Sequence, residues 1–250
     1  MLVFKYQGAI KMRKVFSAWL RPKLNFEYYK DSYAVTEKTK REQLIAAAKR
    51  RLLANEMVVL FCHFQSTFLQ LQDQMDRDGI EYEIAGRQLS AFEISKHFRE
   101  NPGRVLLALA ETIRDGQRSD NVLPRIAVSM IGAERHPLPS HDQRLEDFLR
   151  GLPFRVRLGY FLSLDEPTVR AVVNETTVQL LHQLGMSDHE LITSSMVAKR
   201  IRVGLARVEK SKQKFLPATS PQEWWAINAP DIRIANIYRP SRFSNPTMAS

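Results

Sequence analysis

Short apolar runs alternate with amphipathic stretches between residues 57 and 164, and the apolar period then becomes helical. Met57–Cys62 (MVVLFC) has the length and the continuous apolar character of a strand buried on both faces. Ser66 opens a helix that carries Phe68, Leu71 and Met75 at helical spacing, and Gly79 closes it. Glu81–Ala85 reads as a second strand, Ser90–Arg99 as a second helix, and Arg104–Ala110 (RVLLALA) as a third strand. A polar loop covers Asp115–Asn121. Beyond it Arg125–Ile131 (RIAVSMI) supplies a fourth strand, Asp142–Leu149 a helix and Val156–Leu164 a fifth strand. This alternation predicts an α/β fold with a mostly parallel sheet and helices on both faces.

The flanks read differently. Met12, Val15, Phe16, Trp19 and Leu20 recur at helical spacing among Arg13, Lys14 and Arg21, which predicts a short basic amphipathic helix. Such a helix either packs on its own domain or lies on a membrane surface. A tyrosine-rich stretch, Phe26 to Tyr33, leads to Thr36, an N-cap for a helix through Leu44, Ile45, Ala48, Leu52 and Leu53. Thr168–Leu184 is a further helix closed by Gly185, and Ser194 opens a long basic helix to about Lys214. Past Leu216, five prolines and the pair Trp224 and Trp225 describe an irregular tail. Two adjacent tryptophans are unfavourable in water, so they dock on the domain or bind a partner. The resulting organisation is a basic extension (1–30), an α/β domain (31–165), a helical extension (166–214) and a Pro/Trp tail (215–250).

Composition narrows the class. With 250 residues and 44% apolar content the chain can bury a sizeable core. Its one cysteine, Cys62, can form no internal disulfide and suits a reducing compartment. Lys5, Lys11, Arg13 and Lys14 interrupt any leader-like apolar run, and no 18-residue apolar span follows, so the expected location is cytoplasmic, or peripheral to a membrane. Charge is uneven. Residues 1–51 carry 13 Lys and Arg against 4 acids, residues 52–198 carry 14 against 20, and residues 199–250 carry 10 against 3. The basic flanks suit phosphate backbones, anionic head groups or an acidic partner, or are simply solvated faces.

The catalytic signals are mostly negative. No glycine precedes a lysine, so there is no GxxxxGK[ST] loop to cradle phosphates. Tyr160–Glu166 (YFLSLDE) mimics an acidic strand end of a nucleotide site, but no phosphate loop precedes it. His63 has no nucleophile or carboxylate at a recognisable spacing and reads as structural. His136 and His141 share a proline-containing loop, but no carboxylate or cysteine at matching spacing completes a metal site. No catalytic or metal-binding residue is assigned.

Several segments together resemble one family. Val58–Ser66 (VVLFCHFQS), at its spacing from Gly79-Ile80-Glu81-Tyr82, is similar to the opening of the second RecA-like lobe, the helicase C-terminal lobe, of superfamily 2 helicases. Asp31–Lys40 (DSYAVTEKTK), Ile131–His136 (IGAERH, against the family's IGTERH) and Phe161–Asp165 at the family's interval before its YLSLED strand narrow the resemblance to SecA, the preprotein translocase motor. Leu184-Gly185-Met186, Ile192, Ser195-Met196-Val197, Lys199 and Val208-Glu209 extend it, so that it spans roughly residues 31–214.

The resemblance implies a truncated, degenerate motor lobe. Where the family has GRGTD, this chain has Glu111 to Arg118 (ETIRDGQR), with most of the phosphate-approaching glycines gone. The arginine positions of the family's QLRGRAGR segment fall on Glu146, Phe148 and Gly151. Arg150 is one position from the last. Arg114, Arg144 and Arg150 are the arginines left for a vestigial nucleotide cleft, with weak ATP binding at most and no other cofactor. In the family the Walker loop belongs to the first lobe, which has no counterpart ahead of residue 31. The expectation is therefore a binding or regulatory module related to protein translocation, not an enzyme as an isolated chain. Its partner would be a protein: a SecA-type motor, the missing first lobe or the translocation channel. The alternatives are one part of a split SecA-type ATPase completed in trans and, ranked lower, a helicase-like nucleic-acid-binding protein.

Overall fold

A computed structural model describes residues 26–113, 127–173, 178–179, 187, 189–211 and 214–231. The N-terminal amphipathic helix, Arg114, the 115–121 loop, much of the Thr168–Leu184 helix and the tail beyond 231 lie outside the described residues.

The elements run β1 (Phe26–Tyr28), β2 (Ser32–Ala34), α1 (Glu37–Leu53), β3 (Met57–Cys62), α2 (Gln65–Arg77), β4 (Tyr82–Ile84), α3 (Ala91–Glu100) and β5 (Val105–Leu109). They continue with β6 (Ala127–Gly132), α4 (Pro139–Gly151), β7 (Arg155–Ser163), α5 (Pro167–Val172), α6 (Ser195–Ser211) and α7 (Pro221–Asn228). The strands pair in the order β1-β7-β6-β3-β5-β4, and every pairing between these strands is parallel. Both β1 and β2 pair with β7, β1 along Val156–Leu158 and β2 along Phe161–Ser163. The seven strands therefore form the expected α/β sheet, and the five strands read from hydrophobic runs supply its body.

Alternation along β3 assigns the two faces. Val58, Leu60 and Cys62 join Leu44, Ile45 and Ala48 of α1 and Phe68, Leu71 and Met75 of α2 in one core. Val59 and Phe61 point the other way, into a larger core with Ile94 of α3, Leu145 of α4, Ile201 of α6 and Trp225 of α7. Burial on both faces explains the unbroken apolar strands. Side-chain oxygens set several helix starts: Thr36 accepts from Thr39 N–H at 3.1 Å, Ser90 from Glu93 N–H and Ser220 from Glu223 N–H. Gly79 follows α2 at φ 62°, a left-handed conformation that favours glycine.

Two expectations change. Ser66 does not cap α2; Phe64 occupies that position without a side-chain cap. The tail is not irregular throughout, because Pro221 sits at the start of α7, where a missing N–H costs nothing, and Ser220 caps it. Trp224 and Trp225 are buried against the chain's own domain, which selects docking on the domain for that pair.

Candidate functional site

In open parallel sheets, ligands meet the chain beyond the carboxyl ends of the strands. Here the segments leaving β3, β6 and β7 bring His63, Glu134, Arg135, His136 and Glu166 to that end, and the buried acids are met by partners from distant segments. Glu134 accepts from the N–H groups of His63 (2.9 Å) and Phe64 (3.0 Å) and from the Thr67 hydroxyl (2.7 Å). Lys40, from α1, donates to Glu166 at 2.8 Å, and Ser163 N–H donates to the same carboxylate. Burial pushes Glu166 up to about 7, against the pull of Lys40. Burial also works against the Lys40 charge, but Glu166 and Glu37 outweigh it and hold its pKa above the usual lysine value.

A second group radiates from Arg135. Its guanidinium lies 3.0 Å from Asp31 and 2.9 Å from Asp142, contacts the Tyr28 hydroxyl, and sits over the Tyr160 ring at 4.1 Å. Asp142 also approaches His63 Nε2 at 2.8 Å and accepts from His136 N–H. Burial alone would raise Asp142, but His63, Arg135 and that N–H together hold its carboxyl below the usual range. His136 stacks on His141 at 3.8 Å, and its Nδ1 accepts from Leu138 N–H. Burial, with His63 and His141 nearby, pushes His136 down to about 2, while burial and Arg144 push His141 to about 4, so both rings are neutral at pH 7. A neutral imidazole already accepting at Nδ1 and stacked on its neighbour is a packing group here. Among the described residues no cluster of metal-ligating side chains occurs.

The tail then closes this end of the sheet. Ser66 N–H, at the start of α2, donates to Thr219 carbonyl at 3.0 Å. Trp225 is fully buried with its indole N–H toward Thr168, and Trp224 stacks on Phe215 and meets the His136 ring edge-on. Asn228 clamps the segment by bonding both the N–H and the carbonyl of Leu216. Between Lys40, Glu134, Glu166 and Pro221 of α7 there is room for little more than a water molecule.

Arg144 and Arg150 do not come to this end, and Arg114 lies outside the described residues. Arg150 pairs with Glu146 at 3.3 Å and lies over Phe26, whose strand partner Val156 is near the start of β7, at the opposite end of the sheet. Arg144 is exposed on α4. Asp165 is raised by burial, and Glu166 serves as the partner of Lys40. His63 has an orienting carboxylate after all, Asp142. Asp31 and Lys40 stood in the DSYAVTEKTK segment and Glu134 and Arg135 in IGAERH, but no sequence signal assigned any of them a partner, since Asp31 meets Arg135 and Lys40 meets Glu166 across more than a hundred positions.

No protein-family model matches the chain. The C-terminal part of the Fun30 ATPase domain, known from a crystal structure, aligns at a TM-score of 0.37 and 12% identity, covering 69% of this chain and 55% of that one. The protein translocase subunit SecA of Dichelobacter nodosus (strain VCS1703A) is 29% identical over 97 residues, and that of Psychrobacter sp. (strain PRwf-1) is 28% identical over 97 residues. Each match covers 37% of this chain and 10% of the relative, so the chain spans about a tenth of the length of the curated relatives it matches, a distant likeness to part of SecA.

Proposed function

We propose that this chain is a SecA-related second motor lobe that docks on a protein partner in translocation and does not turn over nucleotide by itself. One observation carries the reading: the strand ends where a ligand would enter are occupied by internal ion pairs and covered by α7. Of the arginines that would answer a triphosphate, Arg150 is at the far end of the sheet and Arg144 is in solvent. The distant likeness to SecA supports the translocation setting. The test mixes the purified chain with Mg²⁺-ATP, and separately with a SecA-type motor or the translocation channel in nanodiscs. The expected result is no turnover and a saturable complex with motor or channel. ATP hydrolysis by the chain alone, or no association with either, overturns the proposal.

A second reading draws on α6. Lys199, Arg200, Arg202, Arg207 and Lys210 are exposed on it, and its one acid, Glu209, is turned to the N–H of Ser140. A basic stripe of this kind suits a phosphate backbone, as in the helicase-like alternative. Binding to single-stranded RNA would then weaken by orders of magnitude between low and physiological salt. Salt-independent binding, or none, rejects it.

A further inference from the structure

A second hollow lies away from the strand ends, between α1 and the α1-facing side of β6 and β7. It arises from how β7 shares its edge. The edge chain follows β7 through Leu158, whose carbonyl still accepts from Tyr29 N–H at 2.7 Å, then departs and rejoins it only at Phe161. Gly159 lies in that gap and has no side chain to fill the space beneath Tyr29; a Cβ there would come within 3.3 Å of the Tyr29 Cβ. The result is a groove of about 370 Å³ whose exposed lining is mainly apolar, with Ile131 and Phe161 contributing to it. That volume is within the range of small-molecule sites, roughly 300–1,000 Å³.

The charges lining it have one sign. Lys30, Arg51 and Arg157 contribute, and among the described residues no acid lines the groove. Glu56 lies behind, bonded to Arg157 at 2.5 Å, Arg51 at 3.2 Å and the Ser129 hydroxyl at 2.5 Å. Glu27 lies 3.5 Å from Arg157 Nε, but that N–H is buried and makes no hydrogen bond. Three cationic side chains beside an apolar wall suit an oxyanion carried on an apolar body, because a guanidinium donates charge-assisted hydrogen bonds to such a group. Arg51 also lies over the Tyr29 ring at 5.1 Å, so the aromatic wall and the cationic group are held together.

We infer that this groove binds a small amphipathic anion, a flat apolar body carrying one sulfonate or carboxylate. The body would lie on Ile131, Gly159 and Phe161 beneath Tyr29, and the acid group would face Arg51 and Arg157. The site is separate from the strand ends closed by α7 and does not depend on the docking function proposed above.

The probe is 8-anilinonaphthalene-1-sulfonate, titrated by fluorescence into the folded full chain, with thermal melting read in parallel. The expected result is one saturable site per chain and a raised melting temperature. Arg51→Ala should weaken binding about tenfold or more, the range of a lost charge-assisted hydrogen bond. Gly159→Val, which fills the floor, should abolish the site. Because Gly159→Val also strains β7, Ala47→Leu, which narrows the groove from the α1 side, provides a second steric test. The uncharged N-phenyl-1-naphthylamine should bind at least tenfold more weakly than the sulfonate. Equal binding of the charged and uncharged probes, affinity unchanged in Arg51→Ala and Ala47→Leu, or no saturable site in the wild type overturns the inference.

Discussion

Replacing Trp225 by alanine tests whether α7 is a strap over the strand ends. The indole is fully buried, and truncating such a side chain in a core removes about 3–5 kcal/mol. The weak indole N–H bond to Thr168, at 3.4 Å, adds about 1 kcal/mol at most. Trp225→Phe keeps most of the apolar body and should lose well under half as much as Trp225→Ala. The amide of Ser66 reports directly on α7, because its N–H is bonded to Thr219 in the segment leading into that helix. If the segment opens as a unit, native-state hydrogen exchange at Ser66 should accelerate roughly 10²-fold or more in Trp225→Ala, at about 1.4 kcal/mol per decade. Amides in the buried strand β3, such as Leu60, should keep their protection. Ser66 and Leu60 losing protection in parallel would make α7 an inseparable part of the fold and refute the strap. No change at Ser66 would mean that Trp225 does not hold the segment down.

Three other changes probe the buried polar end and the strand packing. Asp142→Ala leaves Arg135 and His63 without their shared carboxylate and should destabilise the domain by about 3–5 kcal/mol in urea denaturation. Gly132→Ala would place a Cβ 2.5 Å from Tyr160 and 2.8 Å from Phe61, so a loss of about 1–3 kcal/mol from overpacking is expected in the same assay. Glu166→Gln tests the pH dependence. The folded carboxyl titrates near 7 against an ordinary 4.5, so between those values the folded state holds the extra proton, and this group's contribution to stability grows as pH falls. His136, pushed to about 2, and His141, pushed to about 4, act oppositely, since their folded forms resist the protons that the unfolded chain takes up below 6.5. Relative to Glu166→Gln, the wild type should therefore gain up to about 3 kcal/mol from pH 7 to 4.5. A stability difference between the two proteins that stays flat over that window would remove the titration from Glu166.

What could be read from the sequence follows the range of the interaction that produced it. A strand buried on both faces writes itself as an apolar run, so β3, β5, β6 and β7 were visible within a residue or two. A helix cap is equally local, and Thr36 proved to be one. The strands β1 and β2 were overlooked because three residues are too few for a period, and the tyrosines there serve other ends: Tyr28 meets Asp31 and Arg135, and Tyr29 roofs the groove. For α7 the signal was present but outweighed by proline count. Ser220-Pro221-Gln222-Glu223 is a helix start, with Ser220 receiving the Glu223 N–H and Glu223 reaching back to Thr219. The candidate site was the least legible part, since Lys40 and Glu166 are 126 positions apart and no spacing rule links them. Yet the pairing has a logic that runs backwards from the fold. A buried lysine is stable only beside an acid, and the parallel sheet places the end of β7 against the start of α1, next to β2. Once the strand order is known, Lys40 has few carboxylates to choose from, so topology turns an unreadable pair into a forced one.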